Sequence, residues 1–136
     1  MKEPLFVLTS WGGAQYIDLW LIVHLLAGIS LGYFVRNFGF TILQTFIVIC
    51  VVFIGWELYE WIARIPEPWT NSVLDMFAGF MGIWLSYKIF LFESFSKNLA
   101  LSLLLLLIWS GLGLWGWSAW RAREIERSKS ALATQN

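Results

Sequence analysis

Charge is scarce in this chain. Asp, Glu, Lys and Arg make up 13% of its 136 residues, against roughly 25% in an ordinary soluble domain. Nine acids balance nine bases, so no overall field gathers nucleic acid or acidic ligands, and any partner preference is local. Cysteine occurs once, as Cys50, which excludes an intrachain disulfide. Its place in an apolar run reads as a buried structural thiol. Histidine also occurs once, as His24. What is abundant is apolar surface: 59% of residues are hydrophobic, ten are tryptophan, and the mean hydropathy is +0.69. This is the composition of a membrane protein.

A crossing of the hydrocarbon needs about 20 predominantly apolar residues. Four such runs are present, Tyr16 to Val35, Phe40 to Ala63, Val73 to Phe92 and Leu99 to Trp120. The breaks between them carry Arg36, Asn37 and Gly39, then Arg64, Pro66 and Pro68, then Glu93, Lys97 and Asn98. The expected fold is all-α, a polytopic four-helix transmembrane bundle over residues 1–120, followed by a polar C-terminal tail, 121–136. Leu5 to Thr9 is too short to cross, and with Trp11, Gly12 and Gly13 it reads as an interfacial segment. No cleavable signal peptide is evident: Lys2 is followed at once by Glu3 and Pro4, and the first long run carries Asp18 and His24.

With four spans, both termini share a face with the loop between spans two and three. That face holds Lys2, Arg64, Arg121, Arg123, Arg127 and Lys129; the other holds Arg36, Lys88 and Lys97. Basic residues resist translocation, so both termini are expected to be cytoplasmic. The tail itself reads as a solvated helical extension that frays.

Ionisable residues inside this apolar frame are the informative ones. At 1.5 Å per helical residue, Glu57 lies about 9 Å and Glu60 about 4 to 5 Å from the end of span two, Asp75 about 3 Å into span three, and His24 about 12 Å into span one. All four fall in one leaflet. At 100° per residue, Glu57, Glu60 and Arg64 share a face to within about 60°. Asp75 continues into a stripe of small residues, Ala78, Gly79, Gly82 and Ser86, and His24 shares a ridge with Gly28 and Gly32, a GxxxG pair. Stripes of small residues face other helices, and ionisable groups facing lipid cost several kcal/mol each. The four side chains are therefore expected to turn toward a common interior.

Each has a structural explanation as well. His24 can bond a backbone carbonyl, Glu60 can pair with Arg64 four residues on, and Ser72-Val-Leu-Asp75 fits a capping box at the start of span three. Asp18, about 120° from His24 round span one, has exposure to water as its structural explanation and stands as a secondary candidate. Glu57, the deepest acid, has no comparable local explanation. Two further patterns carry no chemistry of their own. Gly111-Leu-Gly113-Leu-Trp115-Gly116 matches G-x-G-x-x-G, but it lacks the preceding strand of a dinucleotide site and reads as packing or bending glycines. Trp11, Trp61, Trp69, Trp117 and Trp120 suit an interfacial belt, whereas Trp56 and Trp84 are deeper and require a packing or substrate-facing role.

The succession of Asp18, His24 and Gly28, then Trp56-Glu57-Leu-Tyr-Glu60-Trp61, then Asn71-Ser72-Val-Leu-Asp75-Met-Phe-Ala-Gly79 with Gly82 resembles the layout of the VanZ-like family and related small bacterial multi-span membrane proteins. The similarity covers residues 18 to 82 and departs at Glu60, where an amide is frequent in that family. It implies a bacterial cytoplasmic membrane location and a polar pocket, and little about chemistry.

Three functional readings follow. The first is an enzyme acting on a lipid or lipid-linked substrate, with His24, Glu57, Glu60 and Asp75 as catalytic groups and Arg64, Trp69 and Asn71 contacting substrate. Those four catalytic side chains either hold a divalent metal or act as carboxylate acid and base. The second is an accessory subunit, in a homo-oligomer or a larger membrane complex, whose His24 contacts a haem or pigment. The third is an ion-coupled or proton-coupled transporter. It is weakened because the polar groups occupy one leaflet, with no continuing polar path beyond Gln44.

Overall fold

A computed structural model describes residues 18–62, 69–89, 91 and 94–133. The interfacial N-terminal segment expected from the sequence, and Arg64, lie outside the described residues. The rest is helical: α1 Leu19–Arg36, α2 Ile42–Ile62, α3 Trp69–Ser86 and α4 Phe95–Ala133. Three of them, α1, α2 and α4, are long and apolar enough to cross a membrane. The 18 residues of α3 extend about 27 Å at 1.5 Å each. This helix carries Asn71, Asp75 and the small residues Ala78, Gly79, Gly82 and Ser86 in place of a continuous apolar run.

Local chemistry sets the ends. Asp18 is the N-cap of α1, its carboxylate accepting the Trp20 backbone N–H at 2.8 Å, and it is 1% exposed, so exposure to water is not its explanation. Capping satisfies one of the backbone donors that a helix start leaves orphaned. The chain leaves α1 through Gly39, whose φ of +81° favours a residue without a side chain. A reciprocal capping box then opens α2: the Thr41 N–H reaches Gln44 Oε1 at 2.9 Å and the Gln44 N–H reaches Thr41 Oγ1 at 3.4 Å.

The third helix departs most from expectation. It starts at Trp69, just after Pro68, and not at Val73, and it ends at Ser86 instead of Phe92. Proline immediately before a helix is a common start signal. The Arg36 guanidinium terminates it by donating to the carbonyls of Ser86 at 3.0 Å and Ile89 at 2.8 Å. Ser72 and Asp75 thus lie within the helix, so the capping-box explanation of Asp75 does not hold. Its depth becomes six residues, about 9 Å, in place of about 3 Å. Downstream, α4 is one helix of 39 residues, about 58 Å long, and the polar tail continues its axis to Ala133.

Side-chain pairings give the directions. Gly28 faces Gly79 and Gly82, and Gly32 faces Ser86, so α1 and α3 run parallel. Phe53 meets Gly79 while Thr45 meets Tyr87, which makes α2 antiparallel to α3. Ser30 bonds Leu105 and Tyr33 bonds Asn98, so α4 is antiparallel to α1. α1 packs on all three partners, and α2 also packs on α3. α4 packs closely on α1 alone among the described helices.

Small residues drive the central contact. A methyl group on Gly28 would strike the Gly79 carbonyl oxygen, and one on Gly82 would strike that of Leu25. The two backbones touch, which is how helices gain dispersion energy where lipid tails are as apolar as leucine. Against this pair, Ala27, Ile49, Phe53 and Ile83 form the buried apolar cluster, extended by Leu31, Phe80 and Trp109. The outward face of α2, including Leu43, Ile47, Val51, Ile54 and Ile62, is exposed, as suits a surface meant for hydrocarbon.

Candidate functional site

His24 and Asp75 are brought together by the parallel run of α1 and α3. Each sits five or six residues into its helix, about 8 to 9 Å along the axis, so side-by-side packing places them level. His24 Nδ1 lies 3.6 Å from Asp75 Oδ2. Asp75 is 1% exposed, and Asn71, one turn earlier on α3, donates to the same oxygen at 3.3 Å. A buried carboxylate is tolerated where donors surround it, and an amide and an imidazole both stand here.

The imidazole is oriented by its own helix. Nδ1 lies 2.9 Å from the Trp20 carbonyl oxygen, which only accepts, so the proton is assigned to Nδ1. In the neutral ring Nε2 then carries the lone pair and is the nitrogen able to take a proton or ligate a metal. Asp75 beside Nδ1 offsets the positive charge that arrives on the ring when Nε2 is protonated. From α2, Phe53 meets the ring edge-on, with centroids 6.2 Å apart.

On its other side His24 borders a cleft of about 730 Å³, within the range of sites for small molecules. The cleft lies where α2 and α4 diverge over α1. Trp20, Val23, His24 and Ala27 form its α1 wall; Val52, Phe53, Trp56 and Tyr59 its α2 wall; Trp109, Gly113, Leu114 and Trp117 its α4 wall. Tyr59 and Trp117 close one end across the gap, ring centroids 6.3 Å apart. No lysine or arginine lines it among the described residues.

The remaining sequence candidates are placed differently. Glu57 and Glu60 are half-buried in the last turns of α2, and both make interactions. Among the described residues no group of three or more His, Cys, Asp or Glu side chains is positioned to hold a metal ion. The expected ligand set of His24, Glu57, Glu60 and Asp75 is therefore not assembled. Phe53 explains this: its ring occupies the place where α2 meets His24 and Gly79, and the α2 carboxylates lie at least a turn beyond it. Asn71 is buried against Asp75 and is not among the residues lining the cleft. Trp69 is 76% exposed at the start of α3, and Trp84 is exposed beneath the Lys88 ammonium.

The cleft itself was signalled in the sequence only by Trp56. Trp20 and His24, and Trp109, Gly113 and Trp117, recur at intervals of four, the spacing of a single helix face. That periodicity is the signal that marks the other walls.

Polar residues also form a separate layer in the other half of the bundle, discontinuous with His24. Tyr33 OH donates to Asn98 at 3.1 Å, Asn37 Nδ2 to Ser102 at 2.6 Å and Ser30 to the Leu105 carbonyl at 3.1 Å. Thr45 and Tyr87 bond at 2.6 Å, and Tyr87 OH donates on to the Phe40 carbonyl at 2.7 Å. The apolar cluster around Ala27, Ile49, Phe53 and Ile83 stands between this layer and His24. No protein-family model, curated protein or solved structure matches the chain.

Proposed function

We propose that the protein binds a lipid or lipid-linked molecule in the cleft between α1, α2 and α4 and acts on it by proton transfer through His24. The observation that carries this reading is that one imidazole belongs both to the cleft wall and to a buried pair with Asp75. A ligand entering from the bilayer meets apolar and aromatic walls suited to its body and, among them, a base whose charged form has a carboxylate beside it. Glu57, next in sequence to Trp56, supplies a second proton-active group at this end of the bundle. The VanZ-like layout of residues 18 to 82 and a bacterial cytoplasmic membrane with cytoplasmic termini belong to the same proposal. The first is supported by the meeting of His24, Asn71 and Asp75, the second by the distribution of lysine and arginine.

The test is to purify the protein in nanodiscs, extract retained lipid and identify it by mass spectrometry, for the parent, His24→Ala and Trp109→Ala. Retention of one lipid class by the parent, lost on substitution, is expected. The same lipids from all three proteins, in bulk membrane proportions, would overturn the reading. A second reading, an accessory subunit whose cleft holds a flat macrocycle, is favoured by one observation. His24, with Nδ1 bonded to a backbone carbonyl, is the residue that would hold the metal of such a group through its other ring nitrogen. A visible absorption band in the purified protein decides between the two.

A further inference from the structure

Beyond Trp120 the unbroken helix α4 leaves the apolar sequence and runs about 20 Å further, to Ala133. Two large apolar residues stand in this charged extension, Ile125 and Leu132, seven apart. Ile125 is 54% exposed. Followed back toward the bilayer in alternating steps of three and four, its stripe takes in Ala122, Ser118, Trp115, Gly111 and Ile108, all of them exposed. That is the heptad spacing of a seam between two helices. At 100° per residue the stripe lies on average about 130° to 170° round α4 from Trp109, Gly113 and Trp117 of the cleft wall. The exposed ion pair of Glu124 and Arg127, 3.8 Å apart, is on the far side of the helix from it.

Exposed apolar residues are ordinary in themselves; charge decides what this stripe meets. Arg121 and Glu126 flank it, about 70° to either side of the line between Ala122 and Ile125. Both are exposed, and neither has an ion-pair partner among the described residues. Two copies inserted in one membrane in the same sense present α4 to each other in parallel. In a parallel heptad pair the residue just before one seam position faces the residue five further on in the other helix, so Arg121 of each copy meets Glu126 of the other. Lipid does not cover this part, because the axis of α4 carries it out of the bilayer.

We propose that a second copy of this chain docks on this stripe, making a parallel dimer through α4. Within the bilayer Gly111 and Ser118 are small, which leaves room beside Trp115 for the indole of the other copy. Within its own chain α4 packs closely on α1 alone among the described helices, so the stripe is open to a neighbour. The contact joins bundles that are already folded, and its loss separates chains while leaving each intact. The cleft faces away from it, and the dimer is independent of what the cleft binds.

Single-molecule photobleaching of the fluorophore-labelled full chain in liposomes, over a range of protein-to-lipid ratios, measures the association. The parent should pass from one-step to two-step bleaching as the ratio rises. Glu126→Arg turns two attractions across the seam into repulsions and should weaken association about tenfold. Adding Arg121→Glu restores opposite charges and should bring it back to within about threefold of the parent. Disulfide cross-linking in membranes, in a Cys50→Ser background, locates the face: Ala122→Cys and Ile125→Cys should each link to their own copies, and Arg123→Cys and Arg127→Cys should not. A parent that bleaches in one step at every ratio, as when only lipid or a different protein covers the stripe, would overturn the proposal. So would a double charge variant no better than Glu126→Arg, or equal linking at all four positions.

Discussion

His24 Nδ1 stands 3.6 Å from Asp75 Oδ2 and 2.9 Å from the Trp20 carbonyl oxygen, so a single ring nitrogen faces both a carboxylate on a neighbouring helix and a carbonyl on its own. Because the chain has one histidine, its tautomer can be read without assignment. Nitrogen NMR of histidine-labelled protein, at a pH where the ring is neutral, should show the proton on Nδ1. A neutral ring protonated on Nε2 would remove the basis for His24 as an acceptor in the cleft.

Asp75 is expected to tolerate an amide better than a hydrocarbon. Asp75→Asn keeps an oxygen for Asn71, whereas Asp75→Leu strands the Asn71 amide in a buried place, at a cost of about 1–3 kcal/mol. Thermal unfolding in detergent should rank Leu below Asn. In an activity assay Asp75→Asn should behave like a weakened His24, losing part of the 10²- to 10⁴-fold (about) that a general base contributes. An unaltered rate would assign Asp75 a purely structural role.

The glycines divide sharply. Gly28→Ala drives a methyl group onto the Gly79 carbonyl oxygen, and overpacking of this kind costs about 1–3 kcal/mol. Gly111→Ala meets open space and should be neutral or stabilising by up to about 1 kcal/mol, since alanine is the better helix former. Equal unfolding midpoints for the two variants would mean that α1 and α3 do not touch as described.

Tyr33→Phe removes the donor to Asn98. Hydrogen bonds between helices in a bilayer average about 0.6 kcal/mol, so the midpoint should fall by less than it does for Gly28→Ala. Backbone contact, on this comparison, outweighs the polar layer in holding the bundle.

The charged extension of α4 beyond Trp120 is mostly exposed. A chain ending at Trp120 should keep its unfolding midpoint to within about 0.5 kcal/mol, as surface changes do. A larger loss would show the extension packing on something else.

The number of helices, the burial of His24 and Asp75, and the facing of Gly28 toward the Gly79 stripe were legible because hydropathy and the 100° period encode them directly. The start of α3 was not, because Trp69, Thr70 and Asn71 are polar or interfacial residues and the helix they open is held by its neighbour α1 more than by its own apolarity. For Asp18 the angle round the helix left two readings open, and its place just before the apolar run is the capping signal that decides between them. Thr41 and Gln44 likewise announce the start of α2 by their spacing. The metal set failed for a different reason. Depth puts Glu57 in the same half of the bundle as His24, but nothing in one sequence says that the Phe53 ring fills the junction of α2 with α1 and α3. The cleft depends on which helix pair stays apart, a property of the assembled bundle.

That gap between α2 and α4 bears on how a guest gets in. Every polar clasp between α1 and α4 described above, from Ser30, Tyr33 and Asn37, sits at the end remote from His24, while Gly111, Gly113 and Gly116 interrupt the side chains of α4 alongside or near the cleft. The helix is thus fastened like a clothes-peg at its spring, with the jaws at the tryptophans. Its long outer extension continues past the jaws, so the half of α4 without a polar clasp carries both the tryptophans and the charged end of the helix.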